Sequence, residues 1–450
     1  MEPSLPKARV FFRSLGCPKN RVDSELMLGA LALGGYAIAE RIEDADVAVI
    51  NTCSFIETAR EESIDVILDV ADLKQRGELR ALVVAGCLPQ RYGRDLAREL
   101  PEVDAFVGTG DFPKLVPILE RALEGRGRGV YVDAGRTHLY DDSEPRMLIG
   151  GAHSAYLKIA EGCDRVCTFC AIPSIRGRFQ SRAPESILRE AHALASNGAL
   201  ELILVSQDTN SYGKDLARTE AGRPGLAKLV RDLDEVETEW IRLLYLYPSA
   251  VDDELIDSIA GARRVLPYLD IPLQHASDPV LRAMRRGVTA ERHDKLLGKL
   301  RERIPGAVLR TTFIVGFPGE TDRDFETLCD FVREHRFDRL GVFRYSDEEG
   351  TGAFDLAGKV PRALAMERHD ALHAIQSEIM AETLALHVGR EEEVLIDSAA
   401  TGLGVGRLWS QAPEIDGQVR VRGDVPAGSL VRVRITATSG TDFEAVPVSG

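Results

Sequence analysis

From Val10 to Lys359 the chain alternates short aliphatic runs with stretches whose apolar residues recur at helical spacing, and then the alternation stops. A helix between two strands returns the chain to the same end of the sheet, so strands joined this way run parallel. The first runs are Val10-Phe11-Phe12, Val47-Ala48-Val49-Ile50 and Ala81-Leu82-Val83-Val84, with helical patterns over 23–33 and 56–73. They predict an open parallel sheet within residues 1–135. Gly125 to Gly129 and Asp141 to Pro145 read as linker. Residues 150–385 repeat the alternation, with runs at 156–159, 202–205, 241–246, 268–271, 308–315 and 340–343. Six strands are too few for a closed eight-stranded barrel, so a partial (β/α)6 barrel is expected. A long helix over 362–387 follows, with Leu372, Ile375, Ile379 and Leu384 on one stripe. Beyond Val388, runs at 393–396, 418–421 and 430–435 lie between Gly, Pro and Asp turns, which suits a small all-β barrel over 388–450. Gly402, Gly404 and Gly406 lack the strand–helix setting of a nucleotide loop and read as a barrel turn. The fold class is therefore α/β, with a β-barrel at its end.

Composition narrows the function. With 450 residues, 44% hydrophobic and 28% charged, the chain can bury several cores and is not a disordered polymer. No window approaches the ~18 apolar residues of a membrane span. Residues 1–13 lack the basic-then-apolar pattern of a secretion signal, so a cytoplasmic chain is expected. Lys and Arg number 56 against 71 Asp and Glu, a net charge of −15. That balance disfavours wrapping nucleic acid and suits a basic protein partner. The last unit carries six Arg, no Lys and nine Asp plus Glu. A barrel gripping phosphates should be positive, so direct nucleic-acid binding is not expected.

Seven cysteines exclude a fully paired disulfide set in a lone chain and favour ligand or catalytic roles. Cys163, Cys167 and Cys170 stand three and two residues apart, directly after the first strand of the second unit. Three thiolates on one loop can hold three irons of a cubane cluster and leave the fourth open. Zinc usually takes four ligands in C-x-x-C pairs, and no fourth Cys or His stands nearby. Cys17, Cys53 and Cys87 each follow one of the three predicted strands of the first unit. The carboxyl ends of parallel strands line one crevice, so these three should converge there, with Gly16 and Gly86 letting the backbone come close. Cys329, inside a helical pattern, reads as a core residue. His369 and His373 are four apart, but Asp370 stands where a zinc-protease helix has Glu, so a solvated face is expected.

The C-x-x-x-C-x-x-C spacing, with Phe169 before its last cysteine, resembles the radical S-adenosylmethionine superfamily. The resemblance implies a catalytic [4Fe-4S] cluster on Cys163, Cys167 and Cys170, chelating the methionine end of S-adenosylmethionine, with Phe169 near the adenine. Three stretches are similar to that family's cofactor-contacting strands: Ser206 to Thr209, Pro272 to His275 and Thr312 to Glu320. Ser206, Gln207, Gln274, Thr312 and Gly316 are the contacts they imply. The order of the three units resembles the methylthiotransferase family: a cluster domain, a radical domain and a TRAM-type barrel. One branch modifies an adenosine in tRNA. The other, the RimO type, modifies the β-carbon of an aspartate in the twelfth protein of the small ribosomal subunit. Ser14 to Asn20 resembles the second branch, since the first typically has Gln and Met where Pro18 and Lys19 stand. Leu246-Tyr247-Pro248, Gln274 to Ser277 and Ala412 to Gly417 are similar to that branch too.

The resemblance implies a second [4Fe-4S] cluster on Cys17, Cys53 and Cys87, carrying the sulfur that one cofactor molecule methylates. A second cofactor molecule, cleaved reductively at the other cluster, would yield the 5′-deoxyadenosyl radical that takes hydrogen from the target carbon. An electron donor such as a flavodoxin or ferredoxin is implied, and a monomer suffices. The alternatives are thiomethylation of tRNA, a radical enzyme acting on a small molecule, and a non-catalytic iron–sulfur carrier.

Overall fold

The computed structural model describes residues 6–126, 128–133, 137–217 and 224–448. The first unit is a six-stranded sheet ordered β2-β1-β3-β4-β5-β6, every pair parallel. Its strands are β1 (Arg9–Ser14), β2 (Ala37–Ala39), β3 (Val47–Thr52), β4 (Ala81–Gly86), β5 (Ala105–Val107) and β6 (Gly129–Tyr131). Helices α1 (Pro18–Leu33), α2 (Glu57–Gln75), α3 (Cys87–Glu99) and α4 (Leu115–Leu123) connect them. β3 and β4 are buried along their whole length, which is why they read as unbroken apolar runs. The three strands that pattern missed have three residues each, too few to show a period. The stretch expected as linker over 125–129 includes Gly127, outside the described residues, and the chain is already in β6 at Gly129.

The second unit is β7 (Ser154–Lys158), the short pair β8 (Ala160–Glu161) and β9 (Gln180–Ser181), and β10 (Glu201–Val205), β11 (Trp240–Leu243), β12 (Val265–Asp270), β13 (Val308–Val315) and β14 (Arg339–Arg344). Six of these form one parallel sheet, β14-β13-β12-β11-β10-β7, with open edges at β7 and β14. One face packs on helices through residues such as Leu202, Leu204, Leu243 and Leu269. The opposite face, with Tyr156, Ile203, Val205 and Tyr268, shares a core with Val22, Leu26 and Met27 of α1 and with Leu395 and Ala412 of the tail. β11 ends at Leu243, three residues short of the sequence expectation. Tyr245 turns out at φ +63°, and its N–H donates to Asp270 Oδ2 at 3.0 Å, which breaks the strand. The helix Arg362–Ala385 buries Leu372, Ile379 and Leu384 as expected, and Cys329 lies in the same unit's core.

The tail closes as a barrel, β15-β16-β17-β19-β18, from β15 (Glu391–Ala400), β16 (Leu403–Leu408), β17 (Val419–Arg422), β18 (Leu430–Ser439) and β19 (Asp442–Pro447). The glycine run is corrected here: only Gly402 lies in a turn, while Gly404 and Gly406 are inside β16. A Cβ on Gly406 would stand 2.2 Å from the Leu395 carbonyl oxygen, so the run serves close strand approach. Asp416 anchors the tail to the second unit through Tyr268 and Arg310, and Arg407 Nη1 donates to Glu201 Oε2 at 2.8 Å. Among the described residues no helix is long and apolar enough to cross a membrane.

Candidate active site

The first sheet reverses its strand order between β1 and β3, the place where open parallel sheets present a crevice beyond their carboxyl ends. Cys17 follows β1 as the residue capping α1, Cys53 follows β3, and Cys87 follows β4 as the first residue of α3. Gly16, at φ +89°, would put a Cβ 2.8 Å from that of Cys53, and Gly86, at φ +99°, would put one 2.7 Å from the Thr52 carbonyl oxygen. Only glycine allows both loops to close this tightly. Side chains lock them in place: Asn20 Nδ2 donates to the Leu15 carbonyl at 2.6 Å, and Asn51 Nδ2 to the Asn20 carbonyl at 2.9 Å.

The second triad hangs on the loop after β8. Cys163 N donates to the Gly177 carbonyl at 3.1 Å, and Thr168 is held by the Ala283 and Met284 carbonyls. All seven cysteines are free thiols. Burial pushes Cys87 and Cys170 up to about 12 and Cys163 to about 11, and raises Cys53 as well. Such thiols are poor nucleophiles, and coordination to a metal deprotonates them outright. Among the described residues no group of three or more His, Cys, Asp or Glu side chains is arranged to hold a metal ion. Each triad receives a cationic donor: Arg176 Nη2 to Cys87 Sγ at 3.3 Å, and Arg286 Nη1 to Cys167 Sγ at 3.5 Å. Three cysteines in each triad, mostly buried, with a guanidinium donor to one sulfur, are a donor set of the kind that an anionic iron–sulfur cluster takes.

Two features tie the triads to each other. The helix α5 (Ile172–Arg176) begins two residues after Cys170, and its last side chain reaches Cys87. Arg176 also donates to Asp23 Oδ2 at 2.5 Å and Asn20 Oδ1 at 3.1 Å. Lys158 Nζ donates to Asp23 Oδ1 at 2.5 Å and Glu161 Oε2 at 2.7 Å, so two acids and two bases form a buried network across the seam between units. The second tie is the broken end of β11. Tyr245 packs under the Lys19 ammonium beside Cys17, while Tyr247 lies under Arg165 and Arg286 beside Cys167. The sequence reading did not single out Arg176, Arg286, Asp23 or Lys158. A charged residue inside an otherwise apolar strand, as at Lys158, was the one available cue.

Phe169 packs with Val280, Met284, Phe317 and Ala353. Ser206 is buried, its hydroxyl 3.3 Å from that of Thr209, and Gln207 Nε2 donates to Glu161 Oε1 at 2.5 Å. Gln274 sits at φ +76° and bridges to β13 through Thr312 O and Ile314 N. Thr312 is half-buried in β13, on the same face as Arg310 and Ile314. Gly316 stands apart, lining a cavity of about 370 Å³ with Ile56, Thr58, Phe343 and Ala365. His275 is fully buried, and burial lowers it to about 3, so it is a neutral ring. His369 and His373 stack 6.2 Å apart on the long helix, bonded to Asp370 and Ser377.

Residues 9–108 match the Uncharacterized protein family UPF0004, residues 157–332 the Radical SAM superfamily, and residues 388–448 the TRAM domain. The chain is 47% identical to the ribosomal protein uS12 methylthiotransferase RimO of Geobacter sulfurreducens over 98% of both chains. It is 48% identical to that of Sorangium cellulosum, over 98% of this chain and 91% of that one. Among solved structures, the radical S-adenosylmethionine methyltransferase TsrM of Kitasatospora setae aligns with a TM-score of 0.54 at 16% identity. That match covers 75% of this chain and 74% of TsrM, and shows a shared fold.

Proposed function

Because the chain belongs to the RimO family of radical S-adenosylmethionine methylthiotransferases, we propose that it places a methylthio group on the β-carbon of an aspartate of ribosomal protein uS12. In this reading residues 1–135 hold the auxiliary cluster, 150–385 hold the radical chemistry, and 388–450 dock the substrate. Cys163, Cys167 and Cys170 ligate the [4Fe-4S] cluster that meets S-adenosylmethionine; Cys17, Cys53 and Cys87 ligate a second. When bound, these groups supply the methylated sulfur and the carbon-centred radical that the reaction joins. The chain's own work is placement. Arg176 and Arg286 each donate to a ligand sulfur, and α5 holds Cys170 and Cys87 at a fixed separation. Glu161 orients Gln207, which with Phe169, Ser206, Gln274 and Thr312 would flank the cofactor. Gly316, in the cavity beside the open edge β14, is the contact with least support. The reaction runs in the chain's cytoplasmic setting, with a flavodoxin or ferredoxin as electron donor.

The observation that carries this reading is that both triads meet at one seam, joined by Arg176 and by Tyr245 to Tyr247. A carrier of two independent clusters needs no such seam. The test is mass spectrometry of purified uS12 after incubation with the anaerobically reconstituted chain. One methylthio group on one aspartate is expected. Methylthio-adenosine in tRNA with untouched uS12 would overturn the substrate. Replacing Cys17, Cys53 and Cys87 with Ala should remove about half the iron and abolish transfer while cofactor cleavage persists.

A further inference from the structure

Among the described residues two buried cations at the seam have no carboxylate partner: Arg286, which spends its guanidinium on Cys167 Sγ and the Pro272 carbonyl, and Lys19. Lys19 lies in the first turn of α1, two residues past Cys17, and is 7% exposed. Its ammonium sits 3.4 Å from the centroid of the Tyr245 ring, and no carboxylate among the described residues pairs with it. Three neighbouring cations do have carboxylates: Lys158 has Asp23 and Glu161, Arg176 has Asp23, and Arg165 has Asp208. Removing an ammonium from water costs several kcal/mol unless it is offset, and here Tyr245 and Cys17 rather than a carboxylate favour the charged form. The ring holds it by a cation–π contact, which attracts the charge without neutralising it. Its place is also specific. Tyr245 touches Lys19 on the side of the first triad, and Tyr247 touches Arg286, the donor to Cys167, on the side of the second. A side chain acted on by both clusters must enter between them.

We propose that Lys19 is the carboxylate-binding residue of this enzyme: its ammonium pairs with the carboxylate of the target aspartate and so fixes the adjoining β-carbon between the two triads. The proposal rests on the reading of the triads as cluster sites and of the target as an aspartate. One bond separates the carboxylate carbon from the β-carbon, so an ion pair here sets the position of the reacting atom. The same pair separates aspartate from asparagine, which is nearly identical in shape but carries no charge.

The test compares wild type, Lys19→Met and Lys19→Arg, all reconstituted, for binding of uS12 and of uS12 with Asn at the target position, read by fluorescence anisotropy. A charge-assisted bond predicts that wild type prefers the Asp form by about ten- to a hundredfold. Lys19→Met should bind both forms equally, and Lys19→Arg should keep part of the preference. Iron content and Tm of Lys19→Met should both stay close to wild type, because the substitution leaves no carboxylate without a partner. A Lys19→Met protein that still prefers Asp overturns the proposal, as does a fall of several degrees in Tm, which would mark a structural lysine. Failure of wild type to bind either form overturns the substrate reading itself, and the proposal with it.

Discussion

Arg176 is 2% exposed and serves two masters, the sulfur of Cys87 and the carboxylates of Asp23 and Glu161. Removing one member of a buried ion network leaves the others uncompensated, which costs about 3–5 kcal/mol. Arg176→Met should therefore lower the urea midpoint of the metal-free chain markedly, and Asp23→Asn added to it should restore part of the loss. The placing of three cysteines on one loop and three at successive strand ends was legible because it follows from spacing and from the alternation of strands and helices. Arg176 was not legible. It follows Cys170 by six residues, and nothing in that interval reveals that the turn of α5 aims it at another unit.

Elements were legible where burial made them uniform or where a face made them periodic. β4 and β10 are buried at every position and read as apolar runs; β13 alternates, and its bounds were read to the residue. The tail is the opposite case. β16 contains two glycines and was expected to be a turn, because composition alone does not distinguish chain reversal from close packing of two strands. A Cβ at Gly406 would meet the Leu395 carbonyl oxygen and Val394 Cγ1, neither a flexible side-chain end. Gly406→Ala should destabilise the tail barrel by about 1–3 kcal/mol. Hydrogen exchange should rise in β15 and β16 while the first sheet stays protected.

At the scale of the molecule, function depends on docking. Glu348, in the loop after β14, is 1% exposed and receives Arg91 of α3 at 2.6 Å together with Arg60 of α2. Arg91 also donates to the Glu349 carbonyl at 2.7 Å. Glu348→Ala takes the shared carboxylate from the Arg91 and Arg60 guanidiniums, so the first unit should loosen from the second. Hydrogen exchange at 345–351 should rise, and 5′-deoxyadenosine should form with less methylthio product per turnover. Unchanged coupling would show that this latch does not hold the working geometry. Charge was also redistributed by folding. Asp397 and Asp416 of the tail are spent on contacts with Arg407, His153, Tyr268 and Arg310, while Arg420, Arg422, Arg432 and Arg434 point outward beside Asp442, Glu444 and Glu391. The barrel's outer face is thus more balanced than its net charge suggests, and the case for uS12 rests on kinship and on the seam.

From the sequence alone came the parallel α/β character, the closing barrel and both cysteine triads, because alternation and ligand spacing are local properties of the chain. Tertiary structure decided which charges were paired, which strand broke at Tyr245 and which buried lysine met an aromatic ring rather than a carboxylate. Those depend on groups separated by more than a hundred residues, such as Asp23 and Lys158, and no local pattern encodes their distance.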